Sequence, residues 1–129
     1  MKSQKSKKYT LEFPIKSSPV ILYDFLSTTS GLAQWFADRV STRQDIFTFV
    51  WEDVTQKAKM LEQKENELIR YHWIDSNPEE YFEFRITSTE ITGDTILMIT
   101  DFAKPDEMEE DLLLWDSQIH ELKKRLGGL

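Results

Sequence analysis

Side chains able to do acid–base or metal chemistry are few in this chain, and their spacing does not bring them together. The two histidines are His72 and His120. His72 lies in Leu68-Ile69-Arg70-Tyr71-His72-Trp73, where strand alternation puts it with Arg70 on the face away from Tyr71 and Trp73. His120 follows Ile119 beside an apolar stripe, so both histidines read as surface or boundary residues. Neither belongs to an HxH or HExxH spacing, and no metal site is expected. Glu83 and Arg85 share the strand face opposite Phe82, Phe84 and Ile86. That predicts a surface ion pair worth at most about 1 kcal/mol rather than a general acid–base pair. No GxSxG, Walker-type loop or GxGxxG occurs. Six carboxylates from Asp101 to Asp111 read as the solvated start of a helix, with a docking patch for a basic protein as the alternative. The Asp-x-Asp-x-Asp-Gly order of a calcium loop is missing. No catalytic constellation and no cofactor site emerge, so a protein that is not an enzyme is expected.

Composition narrows the classes further. The 129 residues hold eight Phe, four Tyr and four Trp, with 40% hydrophobic and 30% charged residues. That balance excludes a disordered or low-complexity chain and suits one domain. Cysteine is absent, which removes a disulfide framework, a thiol nucleophile and a Cys-ligated zinc site. The formal charge is −7. Four of the 16 bases fall within Met1 to Lys8, leaving 12 against all 23 acids over residues 9–129. Such a body repels phosphates, so no nucleic-acid partner is expected. Residues 1–8 read as a flexible basic tail; no apolar stretch follows them, so they are not a signal peptide. No run approaches the roughly 20 apolar residues of a membrane span. A cytoplasmic location is expected.

The elements follow from periodicity. Tyr9, Leu11, Phe13 and Ile15 alternate with Thr10, Glu12 and Pro14, which predicts a strand with one buried face, ending or at an edge at Pro14. Ser18 reads as an N-cap with Pro19 at the first position of a short helix through Leu26. A second short helix is expected from Thr28 to Ser30 onward through Leu32, Trp35 and Phe36. From Val40 the pattern becomes strands joined by tight turns: Ile46–Trp51, Val54–Glu62, Leu68–Ile74, Tyr81–Ser88 and Thr95–Phe102. Turns this short make successive strands antiparallel neighbours. Finally Met108, Leu112, Trp115, Ile119, Leu122 and Leu126 recur at spacings of three and four, the stripe of an amphipathic helix. Pro105 and acids stand at its start; Lys123, Lys124 and Arg125 lie in its last turn, before Gly127-Gly128.

The expected fold is α+β: a curved antiparallel sheet of six to seven strands wrapped around one long C-terminal helix, with two short helices after the first strand. A sheet with one aromatic-rich face needs a cover, and only the last helix is large enough. This order resembles the helix-grip fold of the START-like (SRPBCC) superfamily. The branch it most resembles is that related to the activator of a heat-shock chaperone's ATPase. The resemblance rests on Phe47-Thr48-Phe49-Val50-Trp51, on Leu68-Ile69-Arg70-Tyr71-His72-Trp73 and on Leu114-Trp115-Asp116-Ser117-Gln118-Ile119, and spans most of residues 9–126. The separate chaperone-docking domain of those activators has no counterpart in the 129 residues.

The superfamily includes lipid carriers, hormone-binding proteins, cyclases and chaperone activators, so the resemblance implies a fold more than an activity. An aromatic cluster between sheet and helix packs either as a closed core or as the wall of a cavity. The cavity reading names Phe47, Phe49, Trp51, Met60, Tyr71, Trp73 and Phe84 from the strands. Leu112, Trp115 and Ile119 come from the helix, with Trp35 and Phe36 near one end. Tyr71 O–H and Trp73 N–H would be its polar handles, and Gln56 the polar residue pointing inward. The expectation is a non-catalytic domain of residues 9–129 that binds a small hydrophobic or amphipathic, lipid-like ligand. The alternatives are a protein-interaction module akin to the chaperone activators and, behind it, an enzyme of the cyclase or hydrolase kind. A monomer and a dimer through the Tyr9–Ile15 edge both fit.

Overall fold

The computed structural model describes residues 5–127. Seven strands and three helices follow in the order β1 (Lys7–Ile15), α1 (Pro19–Ser27), α2 (Thr29–Leu32), β2 (Arg39–Arg43), β3 (Ile46–Trp51), β4 (Val54–Lys64), β5 (Leu68–Trp73), β6 (Phe82–Ser88), β7 (Thr95–Ala103) and α3 (Met108–Arg125). All pairings are antiparallel in one curved sheet, with the order β1-β7-β6-β5-β4-β3-β2. The meander β2 to β7 is therefore continuous in space, and β1 closes its far side by pairing Tyr9 with Asp101 and Ile15 with Thr95.

Local chemistry explains the helix starts. Ser18 Oγ accepts from the Ile21 amide over 3.2 Å, with Pro19 at the first helical position. Thr28 Oγ1 accepts from Gly31 N over 2.9 Å and donates to Asp24 O over 2.8 Å, ending α1 and starting α2 with one hydroxyl. The second short helix is shorter than the spacing predicts. It ends at Leu32, and Trp35 and Phe36 lie in the turn that follows. The last helix begins at Met108, three residues beyond Pro105, with acids in its first turn and Lys123, Lys124 and Arg125 in its last.

Two strand boundaries differ from the expectation. Strand β1 starts at Lys7, so Lys7 and Lys8, expected in a flexible tail, pair with Ala103 and Phe102. Residues 5–6 precede the strand, and residues 1–4 of that expectation lie outside the described residues, as does Gly128. Strand β4 runs two residues past Glu62, with an irregularity between Met60 and Glu62 that shifts its register against β5.

The apolar stripe of α3 buries Trp115, Ile119 and Leu122 against the sheet's inner face. Between them lie Phe49, Tyr71, Phe82, Phe84, Leu97 and Ile99, all essentially without exposure. Tyr71 brings a hydroxyl into this apolar layer, and it donates to Leu26 O over 2.9 Å. Burial pushes that phenol well above its ordinary range, so it stays a neutral donor. The outer face carries a polar group that is not a surface feature. Glu83 is buried, receiving Arg70 Nε and Nη2 on Oε1 at 3.0 and 2.7 Å and Arg85 Nε on Oε2 at 3.3 Å. The Arg70 guanidinium also sits 4.1 Å from the Tyr81 ring centroid. The expected exposed pair of Glu83 and Arg85 is thus part of a three-charge cluster shielded by its neighbours.

Candidate functional site

In an antiparallel meander the C-terminal ends of β3, β5 and β7 and the N-terminal ends of β4 and β6 fall at one end of the sheet. The first half of α3 passes over that end, and a cleft of about 470 Å³ opens there. Its aromatic lining is Phe36, Trp51, Trp73 and Trp115, with Tyr81 and Phe102 at the β6–β7 side. Val54 and Leu114 add aliphatic surface; Gln56, Ser76, Glu80, Asp101, Asp111 and Gln118 supply polar groups.

Phe36 is the hub. Its ring centroid lies 5.4 Å from Trp35, 5.7 Å from Trp51, 6.4 Å from Trp73 and 6.0 Å from Trp115, so it touches all four tryptophans of the chain. Its carbonyl oxygen accepts from Trp51 Nε1 over 2.7 Å and from Gln118 Nε2 over 3.2 Å. The turn after α2 is thereby fastened to both the sheet and the last helix. Trp35 packs behind, donating Nε1 to Phe25 O over 2.8 Å.

The acid wall of the cleft comes from three elements. Asp101, on the inner face of β7, accepts Trp115 Nε1 on Oδ2 at 3.0 Å and its neighbour Phe102 N on Oδ1 at 2.8 Å. Tyr9 of β1 reaches both Asp101 Oδ2 at 3.4 Å and Asp111 Oδ2 at 3.3 Å, so one phenolic proton serves two carboxyl groups. Burial is the main reason the Asp101 carboxyl is pushed up to about 6; the nearby Asp111 adds to it, and the donated hydrogen bonds oppose it. Asp111 is raised too, by burial first and then by Glu107 and Glu110. The same burial and the two carboxylates hold Tyr9 in its neutral form.

Of the twelve residues singled out from sequence, Phe36, Trp51, Trp73 and Trp115 line this cleft. Trp35, Phe47, Phe49, Tyr71, Phe84 and Ile119 are buried in the core beneath it, and Met60 packs against that core half-buried. Leu112 is half-buried on α3 and is not among the lining residues. The Tyr71 hydroxyl, read as a polar handle, is instead spent on Leu26. Trp73 N–H has no protein acceptor among the described residues. Gln56 lies exposed at the cleft. Sequence reasoning placed Asp101 both in the last strand and in the acidic run before the last helix, and missed its part in the cleft. The signal was present: Leu97, Ile99 and Asp101 share one strand phase. His72 lies on the outer face with Nδ1 2.7 Å from Glu80 O, and His120 is exposed. Among the described residues no group of three or more His, Asp and Glu side chains could hold a metal ion. Among the described residues no helix is long and apolar enough to cross a membrane.

Comparison with known proteins agrees with this architecture. The model of the START-like superfamily domain matches residues 2–128. This chain belongs to that superfamily. A Bacteroides fragilis protein solved by NMR is 36% identical, with 97% of this chain and 93% of that one covered and a TM-score of 0.68. The Aha1 dimer of Colwellia psychrerythraea is similar in fold at 20% identity, with 91% and 93% covered and a TM-score of 0.77. CalU16 of Micromonospora echinospora is 12% identical over 95% of this chain and 76% of that one, with a TM-score of 0.73. Among curated protein sequences none matches the chain.

Proposed function

We propose that this protein binds a small hydrophobic or amphipathic molecule in the cleft at the end of the sheet and performs no chemistry on it. The observation that carries this reading is the cleft itself. It measures about 470 Å³ and is walled by three tryptophans and Phe36, within the size range of small-molecule sites. The space deeper between sheet and helix is filled by Phe49, Tyr71, Phe82 and Phe84, so the occupant sits over the core rather than inside it. Asp101, Asp111 and Tyr9 are tied to one another and to Trp115 by hydrogen bonds, which supports their reading as a fixed polar wall for a bound molecule.

Native mass spectrometry of the purified protein, with organic extraction, tests this reading. A defined extra mass that leaves on denaturation and is diminished in Trp73→Ala supports it. A clean apo mass, together with tryptophan fluorescence unresponsive to medium-chain alcohols and amphiphiles, counts against it. That pair of results would favour the second reading, an interaction module that meets a basic protein through the start of α3. Asp106, Glu107, Glu109 and Glu110 are all exposed there, which is the observation in its favour.

A further inference from the structure

The cleft is one-sided in charge. Glu80, Asp101 and Asp111 contribute carboxyl groups, Gln56, Ser76 and Gln118 are neutral, and no lysine or arginine is among the lining residues. The aromatic walls add to the same polarity. Trp51 and Trp115 each have their N–H engaged, with Phe36 O and Asp101 Oδ2 respectively, so what these indoles leave for an occupant is ring surface rather than donors. The face of an indole is the electron-rich part of the ring and attracts cations.

We infer that the cleft selects hydrophobic molecules with a cationic, ammonium-type head, the head lying against Asp111 and Asp101 and the apolar body over Phe36, Trp51 and Trp73. This rests on the reading of the cleft as a small-molecule site and names the chemical class it takes. An anionic head, carboxylate or phosphate, would face three carboxyl groups in a partly desolvated place, where like charges repel more strongly than in water. Arg70 lies over the Tyr81 ring but is paired with Glu83, and Lys5 and Lys104 line an adjoining groove that shares Ser76, Glu80, Phe102 and Asp111 with the cleft. Neither lysine forms an ion pair with those acids among the described residues. A neutral amphiphile would gain the apolar contacts and nothing from the acids.

The test uses three probes with the same ten-carbon chain: decyltrimethylammonium, 1-decanol and decanoate. The two ions are titrated below their micelle concentrations and the alcohol below its solubility limit, near neutral pH, by calorimetry and tryptophan fluorescence. The expected order is ammonium tightest by about tenfold over the alcohol, with decanoate weakest. Asp111→Asn keeps the shape and removes one charge. It should weaken the ammonium roughly three- to tenfold and leave decanol unchanged, provided circular dichroism shows the native fold. Acidification through about 6 should erode the ammonium preference as Asp101 takes up a proton, with Tyr9 of β1 and Asp111 and Trp115 of α3 packed around it and Glu80 also lining the cleft. If decanol or decanoate binds as tightly as the ammonium, the charge selection is wrong while the small-molecule reading stands. Equal loss of all three probes in Asp111→Asn would make that residue structural and overturn the assignment. If none of the three binds, both the selection and the small-molecule reading fall.

Discussion

The indole N–H of Trp115, midway along α3, donates to the Asp101 carboxylate of β7 over 3.0 Å. Tyr9 of β1 reaches the same carboxylate oxygen from the other side, at 3.4 Å. One half-buried acid therefore fastens the last helix to the last strand and to the strand that closes the sheet. It also stands in the wall of the cleft, so the anchor of the last helix and the proposed recognition of a ligand meet in a single side chain.

A pH signature follows from that burial. The Asp101 carboxyl titrates near 6 in the folded protein against an ordinary 3.8. The folded state thus holds the proton more tightly than the unfolded one. The favourable contribution is complete below the unfolded value and is lost as pH rises through about 6, a swing of about 3 kcal/mol at most. Urea unfolding from pH 4 to 7, compared between the wild type and Asp101→Asn, should show the wild-type curve falling relative to the variant across that window. Parallel curves would mean that the carboxyl does not titrate there.

Glu83 offers a second stability test. It is buried between two arginines that are themselves partly exposed. Its replacement by Gln should cost about 1–2 kcal/mol, more than the exposed pair that the sequence suggests and less than a fully buried one. The control is Lys64–Glu67, an exposed i,i+3 pair whose disruption should cost no more than a few tenths of a kcal/mol. Comparable losses at both sites, measured by thermal melts, would place Glu83 with ordinary surface pairs.

How much of this was legible beforehand depends on the kind of signal. Strands β3 to β7 and α3 announce themselves through alternation and the Met108–Leu126 stripe, because period two and period 3.6 are direct consequences of burying one face. The length of the sheet's first strand was less legible, since Lys7 and Lys8 are exposed and leave no hydrophobic trace. The twelve aromatic and aliphatic residues were read as one cavity wall, whereas Trp35, Phe47, Phe49, Tyr71, Phe84 and Ile119 are buried in the core and Phe36, Trp51, Trp73 and Trp115 line the cleft. Alternation says which face a side chain takes, but not whether the space behind it is filled. That is decided by where α3 rests on Phe49, Tyr71 and Phe84. Asp101 was obscured by its position in a run of acids, although its strand phase places it with Leu97 and Ile99. Glu83 was obscured in the opposite sense, because an outer-face position does not reveal that Arg70, Arg85 and Tyr81 shield it.

Phe36 should be the most costly aromatic of the cleft to shorten. It contacts Trp35, Trp51, Trp73 and Trp115, and no other ring links them all. Phe36→Ala is expected to lose about 3–5 kcal/mol, a large share of a small domain's stability. Phe36→Leu keeps most of the volume and should lose less than half as much. Because every tryptophan neighbours this ring, the emission spectrum of the folded Leu variant should also shift. An unshifted spectrum with unchanged stability would remove Phe36 from the centre of the cluster.

Leu114 separates binding from folding more cleanly than any tryptophan of the cleft. Its side chain is 58% exposed, off the buried stripe of α3, and still lines the cleft. Replacing an exposed residue in this way changes stability by about 0.5 kcal/mol or less. Leu114→Asp would, however, put a hydrated carboxylate where an apolar body is expected to lie. Occupancy by a neutral amphiphile such as 1-decanol should fall about tenfold or more, because roughly 1.5–3 kcal/mol accompanies the burial of such a side chain against a ligand. Trp73→Ala should weaken binding as well, but part of its effect passes through the stacked contact with Phe82 at 4.8 Å and so through the core. Decanol affinity and melting temperature measured together on both variants distinguish the two routes. If Leu114→Asp leaves affinity intact while Trp73→Ala lowers both quantities together, the tryptophans act as core residues and the cleft is not where the ligand binds.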